Sequence, residues 1–435
     1  MLSKTRFQHG VICRKRLWLD AHRRELARPP DAATRLRLAD GHRVGRLARE
    51  LWAGGVLVTE PSARHARACA RTSLLLEDSS VGAIFEGAFE HDGLRVRADV
   101  LARSGTGFEL IEVKSSSKPG NEHLLDLAIQ AYVIDGSGVE LAGASLLHLN
   151  PAHVWDGGPY DLRGLFVRVD LTPEVFGLLA EVRERAREFR AVLAEIAAPA
   201  VAMGAQCRRP DACPFIELCR REAGTPVLRP PEAPAEAAAS NVPSALLDVQ
   251  VFSTSLPRVR NASPHERVPF LWSLRILHTD GSVTERQHLA PFGSDPREDF
   301  AETLDAVLPA FGEVVVFSDT AKRALDALAA RGVTAARRCA RRLESDGIDV
   351  LSSLEGVLDP PGPADAWTWE TLAPAGPSRT FLSRQGAAAA YLEARDRATP
   401  PERRDAIGDA LMRYGRTNLT GLAALRRVAR VAVRV

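Results

Sequence analysis

Apolar residues recur at helical spacing through the first 60 positions of the chain. CRKRLWLD (13–20) alternates basic and apolar residues, and ATRLRLADGHRVGRLARELW (33–52) continues the helical pattern across Gly41 and Gly45. Residues 61–82 form a second helical stretch. From residue 81 the period shortens to two. The run VGAIFEGAFEHDGLRVRADVLARSGTGFELIEVKSS (81–116) predicts three strands joined by hairpins at His91-Asp92-Gly93 and Gly105-Thr106-Gly107. HLLDLAIQAYVIDGSG (123–138) predicts a helix with a glycine stop, ELAGASLLHLNP (140–151) a strand, and residues 173–198 one long amphipathic helix. Residues 223–243 are rich in Pro and Ala and carry no core pattern, which marks a linker. Beyond it, ALLDVQVF, FLWSLRIL and EVVVFSD read as strands; residues 298–311, 320–331 and the last 30 residues read as helices. The expected organisation is two α/β domains, 1–222 and 244–435, separated by that linker.

A length of 435 residues suits two such domains, and 45% hydrophobic with 26% charged residues suits globular cores. The formal net charge of +2 excludes a binder that works by bulk positive charge, so any groove for nucleic acid has to be local. The basic residues divide unevenly: five lysines (Lys4, Lys15, Lys114, Lys118, Lys322) stand against 52 arginines. Each lysine is therefore a choice against the habit of the chain. No apolar run approaches the about 20 residues a membrane span needs, and charges fill the N-terminus where a signal peptide needs an apolar stretch. A cytoplasmic protein with no membrane partner is expected. Structural disulfides among its six cysteines are not expected there, so clustered thiols point to metal or redox chemistry.

The chemistry concentrates at Asp99 and Glu112-Val113-Lys114. Residues two apart on a strand share a face, so Glu112 and Lys114 point the same way and Asp99, across the hairpin, can join them. Two carboxylates so placed bind a hard divalent ion such as Mg²⁺, and the Val113 backbone carbonyl is a further candidate ligand. The lysine can position water or stabilise a pentavalent phosphate. The competing reading is a surface hairpin whose opposite charges pair. Against it, ELIEVKSSS sets the charges in an apolar strand, and Lys114 is one of the few lysines. Gln130 and Tyr132 follow on the next helix.

This D…ExK…Q arrangement resembles the PD-(D/E)XK nucleases of the RecB type, most nearly the CRISPR-adaptation exonuclease branch. The resemblance implies a restriction-endonuclease-like fold with Asp99 and Glu112 as ligands of Mg²⁺ or Mn²⁺, Lys114 as the catalytic lysine assisting water, and Gln130 and Tyr132 contacting the substrate strand. Glu86 and His42 are accessory candidates. Two positions depart from the pattern. The early G-x-x-x-H reads Gly41-His42-Arg43-Val44-Gly45, with Gly45 in place of the metal-binding His; and Gln130 is followed by Tyr132, with Ile at 134.

Cys207, Cys213 and Cys219 form a C-x5-C-x5-C run, and Cys13 lies far upstream. Thiolates select Zn²⁺ or an iron–sulfur cluster. The same nuclease branch carries one N-terminal and three C-terminal cysteines around a 4Fe–4S cluster, so the resemblance implies that Cys13, Cys207, Cys213 and Cys219 hold such a cluster, with Zn²⁺ as the alternative. Cys69 and Cys339 fall outside this set and read as small buried hydrophobes.

LSKTRF, CRKRLWL, GHRVGRLAR, IEVKSS and CPFIELC in the first half, with PFLWSLRIL, DPREDF and RYGRTN in the second, resemble an uncharacterised bacterial family in which this nuclease precedes an RNase H-like domain of the DEDD exonuclease type. Such an exonuclease needs acids on its first strand in D-x-E order and further acids later, to hold two metals. Here Asp248 is followed by Gln250, Lys322 follows Asp319 where the family tends to have Glu, and Asn418 stands where a last Asp is expected. The second domain therefore reads as catalytically inactive. Together these features imply a metal-dependent nuclease that hydrolyses DNA phosphodiester bonds, acting on single strands or duplex ends. The alternative is a non-catalytic nucleic-acid-binding or scaffold protein.

Overall fold

A computed structural model of the protein describes residues 1–105, 107–208, 212–223, 243–354 and 383–432. The expected linker at 223–243 lies, apart from its two end residues, outside them. The chain divides into two compact units. The first takes Met1–Pro30, the described residues from Arg37 through 223, and Thr254–His265; the second takes the rest.

The first unit contains, in chain order, β1 (Leu2–Ser3), α1 (Lys4–Ile12), α2 (Arg14–His22), α3 (Ala32–Arg49, of which the part from Arg37 on belongs here), β2 (Val56–Leu57), α4 (His65–Glu77), β3 (Ala83–His91), β4 (Leu94–Ser104), β5 (Gly107–Lys114), α5 (Asn121–Gly136), β6 (Leu141–Leu149), α6 (Leu162–Leu165), β7 (Phe166–Asp170), α7 (Thr172–Gly177), α8 (Leu179–Ala194) and α9 (Ile216–Glu222). The three expected strands form an antiparallel meander. Asp92 (φ 48°) and Gly93 (φ 70°) make the β3–β4 turn, a pairing of positive φ values that matches the twist of a two-residue hairpin. α5 crosses over to β6, which runs parallel to β5. The sheet order is β2-β3-β4-β5-β6-β7, with β1 also paired to β4. The helix expected over 173–198 is broken at Leu178 into α7 and α8, and β7 is a strand the periodicity does not announce.

Both faces of this sheet are covered. Leu110 of β5, Leu127, Ile129 and Ile134 of α5, and Val182 and Phe189 of α8 belong to one core; Ile111, Val100 and Leu147 belong to the other, with Val44 and Ala48 of α3. Leu256, from the segment Thr254–His265, is buried in that second core. The same segment bonds the half-exposed Arg258 to the buried Asp40 at 2.7 Å and accepts a hydrogen bond from Tyr160 through the Pro257 carbonyl. A stretch that follows β8 in sequence is thus part of the first unit, whereas the sequence reading assigned all of 244–435 to the second domain.

The second unit holds β8 (Ser244–Phe252), β9 (Val268–Leu277), β10 (Val283–Leu289), α10 (Phe300–Asp305), β11 (Glu313–Val316), α11 (Thr320–Ala330), α12 (Thr334–Asp346), β12 (Gly347–Asp349), α13 (Val350–Leu354) and the helices Arg384–Arg395 and Pro401–Ala432. Its sheet runs β10-β9-β8-β11-β12: β8, β9 and β10 are antiparallel neighbours, and β11 and β12 run parallel to β8. β8 is central, and its alternation sends Ala245, Leu247 and Val249 into the core under α10–α12, and Leu246 into the core under Pro401–Ala432. β10 (VTERQHL) is a polar edge strand, which is why its hydrophobic pattern is faint. Among the described residues, no helix is long and apolar enough to cross a membrane.

Candidate active site

The site arises because β4 shares one edge between two partners. β3 lines one edge of β4 along most of its length. On the other edge β5 pairs only from Val100 to Ser104, and β1 pairs only with Leu94 and Arg95. Between them β4 has no strand neighbour on that side, and Asp99 sits in the opening. A backbone N–H left without a ladder partner has to be satisfied; the Val113 amide donates to Asp99 Oδ2 at 2.8 Å. The apolar alternation of β4 also changes phase here. Leu94, Val96 and Ala98 face one core, Val100 and Ala102 the other. Opposite Asp99, Glu86 has φ 56°, a strained value for a non-glycine residue within a strand.

Glu112 and Lys114 share the α5 face of β5, as strand alternation requires. Glu112 is 1% exposed, accepts three hydrogen bonds and makes a further ion pair. Lys4 donates to Oε1 at 3.0 Å and to Oε2 at 3.3 Å, Lys114 lies 2.8 Å from Oε1, and Gln130 Nε2 reaches Oε2 at 2.6 Å. Lys114 also pairs with Asp126 of α5, which accepts from Gln8 of α1. Lys4 and Gln8 are four residues apart and therefore stand on one face of α1, meeting Glu112 and Asp126 side by side.

Burial opposes ionisation of Glu112, but Lys4 and Lys114 outweigh it and hold its carboxyl down at about 2. Asp99 behaves oppositely: burial, and then the neighbouring Glu112 charge, push its carboxyl up to about 7. The Lys4 and Lys114 ammoniums lose solvent, yet the surrounding carboxylates raise both.

The remaining expected residues divide. Glu86 lies beside Asp99 and pairs with Arg49 of α3 at 2.8 Å. Tyr132 is not brought to the acids: two positions after Gln130 on a helix is the far side, and its hydroxyl donates to Asp92 at 3.2 Å. His42 is exposed on α3. Gly45 faces open space, with no atom within 4 Å of a built Cβ. Position 45 precedes Arg49 by one helical turn, on the face that reaches Glu86. Sequence reasoning missed Lys4, Gln8 and Asp126; the scarcity of lysine was the signal that marked Lys4.

The residues suit a hard divalent ion between Asp99 and Glu112. Burial, and then repulsion from the adjacent Glu112 carboxylate, raise the Asp99 carboxyl, and Asp99 Oδ1 accepts no hydrogen bond among the described residues. Cys13, Cys207, Cys213 and Cys219 line one pocket with Lys15, Arg16, Leu19 and Phe215. Cys13 occupies the α1–α2 junction, Cys207 a 3₁₀ turn and Cys219 α9; all four are free thiols. Burial raises the Cys213 and Cys219 thiols. Four thiols around one pocket form a donor set that suits a thiolate-bound metal. Among the described residues, no three or more His, Cys, Asp and Glu side chains stand at assembled metal-site spacing. Cys69 and Cys339 pack against the hydrophobic cores of their units.

In the second unit Asp248, 3% exposed, receives Gln250 Nε2 at 2.7 Å, Asn418 Nδ2 at 2.9 Å and Arg384 at 2.8 Å. The two amides singled out in sequence do converge on the surviving acid. Lys322 does not: it is half-exposed on α11 and pairs with Asp326 at 2.9 Å. The cation at Asp248 is Arg384, which sequence reasoning did not identify.

A family model described as a domain of unknown function (DUF2779) matches residues 245–353. No curated protein matches. A solved structure titled "Crystal structure of SSO0001" is 17% identical, covering 42% of this chain and 79% of that one, with a TM-score of 0.20.

Proposed function

We propose that the protein is a metal-dependent nuclease that hydrolyses DNA phosphodiester bonds at the Asp99–Glu112–Lys114 site, on single strands or duplex ends. The observation that carries this reading is the splayed edge of β4 beside two carboxylates, one shifted up and one down, and a lysine. A bound Mg²⁺ or Mn²⁺ supplies Lewis-acid activation of water and charge neutralisation at the phosphate. Asp99 and Glu112 would hold the ion, and the Val113 carbonyl could add a ligand. Gln130 fixes the Glu112 carboxylate, and Asp126 aims the Lys114 ammonium, whose charge stabilises the phosphorane-like transition state. Cys13, Cys207, Cys213 and Cys219 hold a 4Fe–4S cluster, or Zn²⁺, tying the two ends of the nuclease fold together. The five-stranded mixed sheet with an acid on its central strand supports an RNase H-like reading of the second unit, whose Asp248 is neutralised by Arg384 rather than by metal.

The test is shortening of end-labelled single-stranded DNA in Mn²⁺. Asp99→Ala and Lys114→Ala are expected to abolish it; unchanged cleavage in both sinks the reading. DNA that is bound but never shortened by the wild type points to the scaffold alternative. A brown colour in anaerobically purified protein is expected for the cluster, and a colourless zinc protein decides for the other metal.

A further inference from the structure

Glu112 has no room for an ion while all its donors stay. A carboxylate offers about four lone-pair sites; Lys4 and Gln130 fill three of them with hydrogen bonds, and the Lys114 ammonium crowds Oε1 as an ion pair at 2.8 Å. One donor has to leave before a metal can enter. Gln130 is fully buried and also donates to the Asp126 carbonyl at 3.0 Å. Lys114 is tied to Asp126 and belongs to the same strand as Glu112. Lys4 has no such second anchor. Its ammonium hydrogen-bonds only Glu112 among the described residues, and it begins α1 directly after β1, which pairs with β4 at Leu94 and Arg95, before the opening.

We infer that Lys4 is an internal counter-cation that occupies Glu112 when no metal is present and transfers to a substrate phosphate when a divalent ion takes its place. The inference rests on the proposed nuclease reading. Four methylenes let the ammonium turn outward without moving α1, and a compact point charge suits both partners. Before ion entry Lys4 keeps the buried Glu112 charge paired, where an unpaired one is costly. After entry its charge is displaced toward the side where a phosphodiester approaches. Lys4 is thus a positioning residue for the ion.

The test compares Mn²⁺ binding to full-length wild type, Lys4→Met, Lys4→Arg and Glu112→Gln by electron paramagnetic resonance, without DNA. Removing a competitor that holds Glu112 most of the time is expected to tighten Mn²⁺ binding by about tenfold in Lys4→Met. Lys4→Arg keeps the charge and binds Glu112 at least as well, so its Mn²⁺ affinity is expected at or below wild type. A second readout is salt dependence of binding to a single-stranded oligonucleotide. With Ca²⁺ present, Lys4→Met is expected to lose one phosphate contact and lower the slope by about 0.7; with no divalent ion the two slopes coincide. Mn²⁺ affinity that survives Glu112→Gln overturns the metal-site reading itself. Loss of Mn²⁺ in Glu112→Gln, with affinity in Lys4→Met equal to wild type or in Lys4→Arg tighter than wild type, overturns the role of Lys4 alone. An unchanged slope in Ca²⁺ overturns the transfer to phosphate.

Discussion

Asp99 is ionised at a cost to stability. Its carboxyl is raised to about 7, chiefly by burial and then by Glu112, so the folded chain keeps a proton that the unfolded chain releases in the ordinary carboxylate range. Between those two values the folded state binds more protons, and stability falls as pH rises. Above about 7 the cost is fully present. Asp99→Asn keeps an oxygen for the Val113 amide and removes the charge. It is expected to raise stability by ~1–2 kcal/mol at pH 8 and by nothing at pH 4, measured by urea unfolding. The same variant should lose Mn²⁺ binding. In the wild type, Mn²⁺ affinity should rise with pH up to about 7, because the ion has to displace the Asp99 proton.

At the scale of elements, the site depends on two placements. α3 carries Arg49 to Glu86, and one turn earlier Gly45 leaves open space. Gly45→His should fold without clash, gain some helix propensity, and tighten Mn²⁺ binding relative to wild type. Calorimetric titration checks the affinity and thermal unfolding the stability. The second placement is the segment Thr254–His265. Leu256 is 1% exposed in the core beneath α3, so Leu256→Ala should destabilise the first unit by about 2–5 kcal/mol, read from its unfolding transition.

At the scale of the whole molecule, that segment sets where the first unit ends. A fragment of residues 1–222 lacks Leu256 and leaves Asp40, 5% exposed, without Arg258; a fragment of residues 1–265 retains both. The longer fragment is expected to melt at the higher temperature. The second unit makes a complementary case. Its Asp248 charge is buried and paired with Arg384, so Arg384→Ala should cost about 3 kcal/mol, and adding Asp248→Ala should recover part of that loss. If Arg384 takes the place of metal there, wild-type stability of this unit is unaffected by chelators.

The sequence by itself determined what short-range periodicity encodes. Strand alternation fixed Glu112 and Lys114 on one face, and the Asp92-Gly93 pair fixed the β3–β4 hairpin. The choice of lysine against 52 arginines marked Lys114, and marked Lys4 without explaining it. Only the tertiary structure decided the rest. Nothing local shows that β1 and β5 divide one edge of β4, because pairing between residues about a hundred positions apart leaves no periodic trace. That division opens the gap at Asp99 and brings Lys4 across 108 residues to Glu112. The tertiary fold also put Arg384 rather than Lys322 on Asp248. Charges in a low-dielectric site are matched by whichever element arrives, and arrival is a property of the fold.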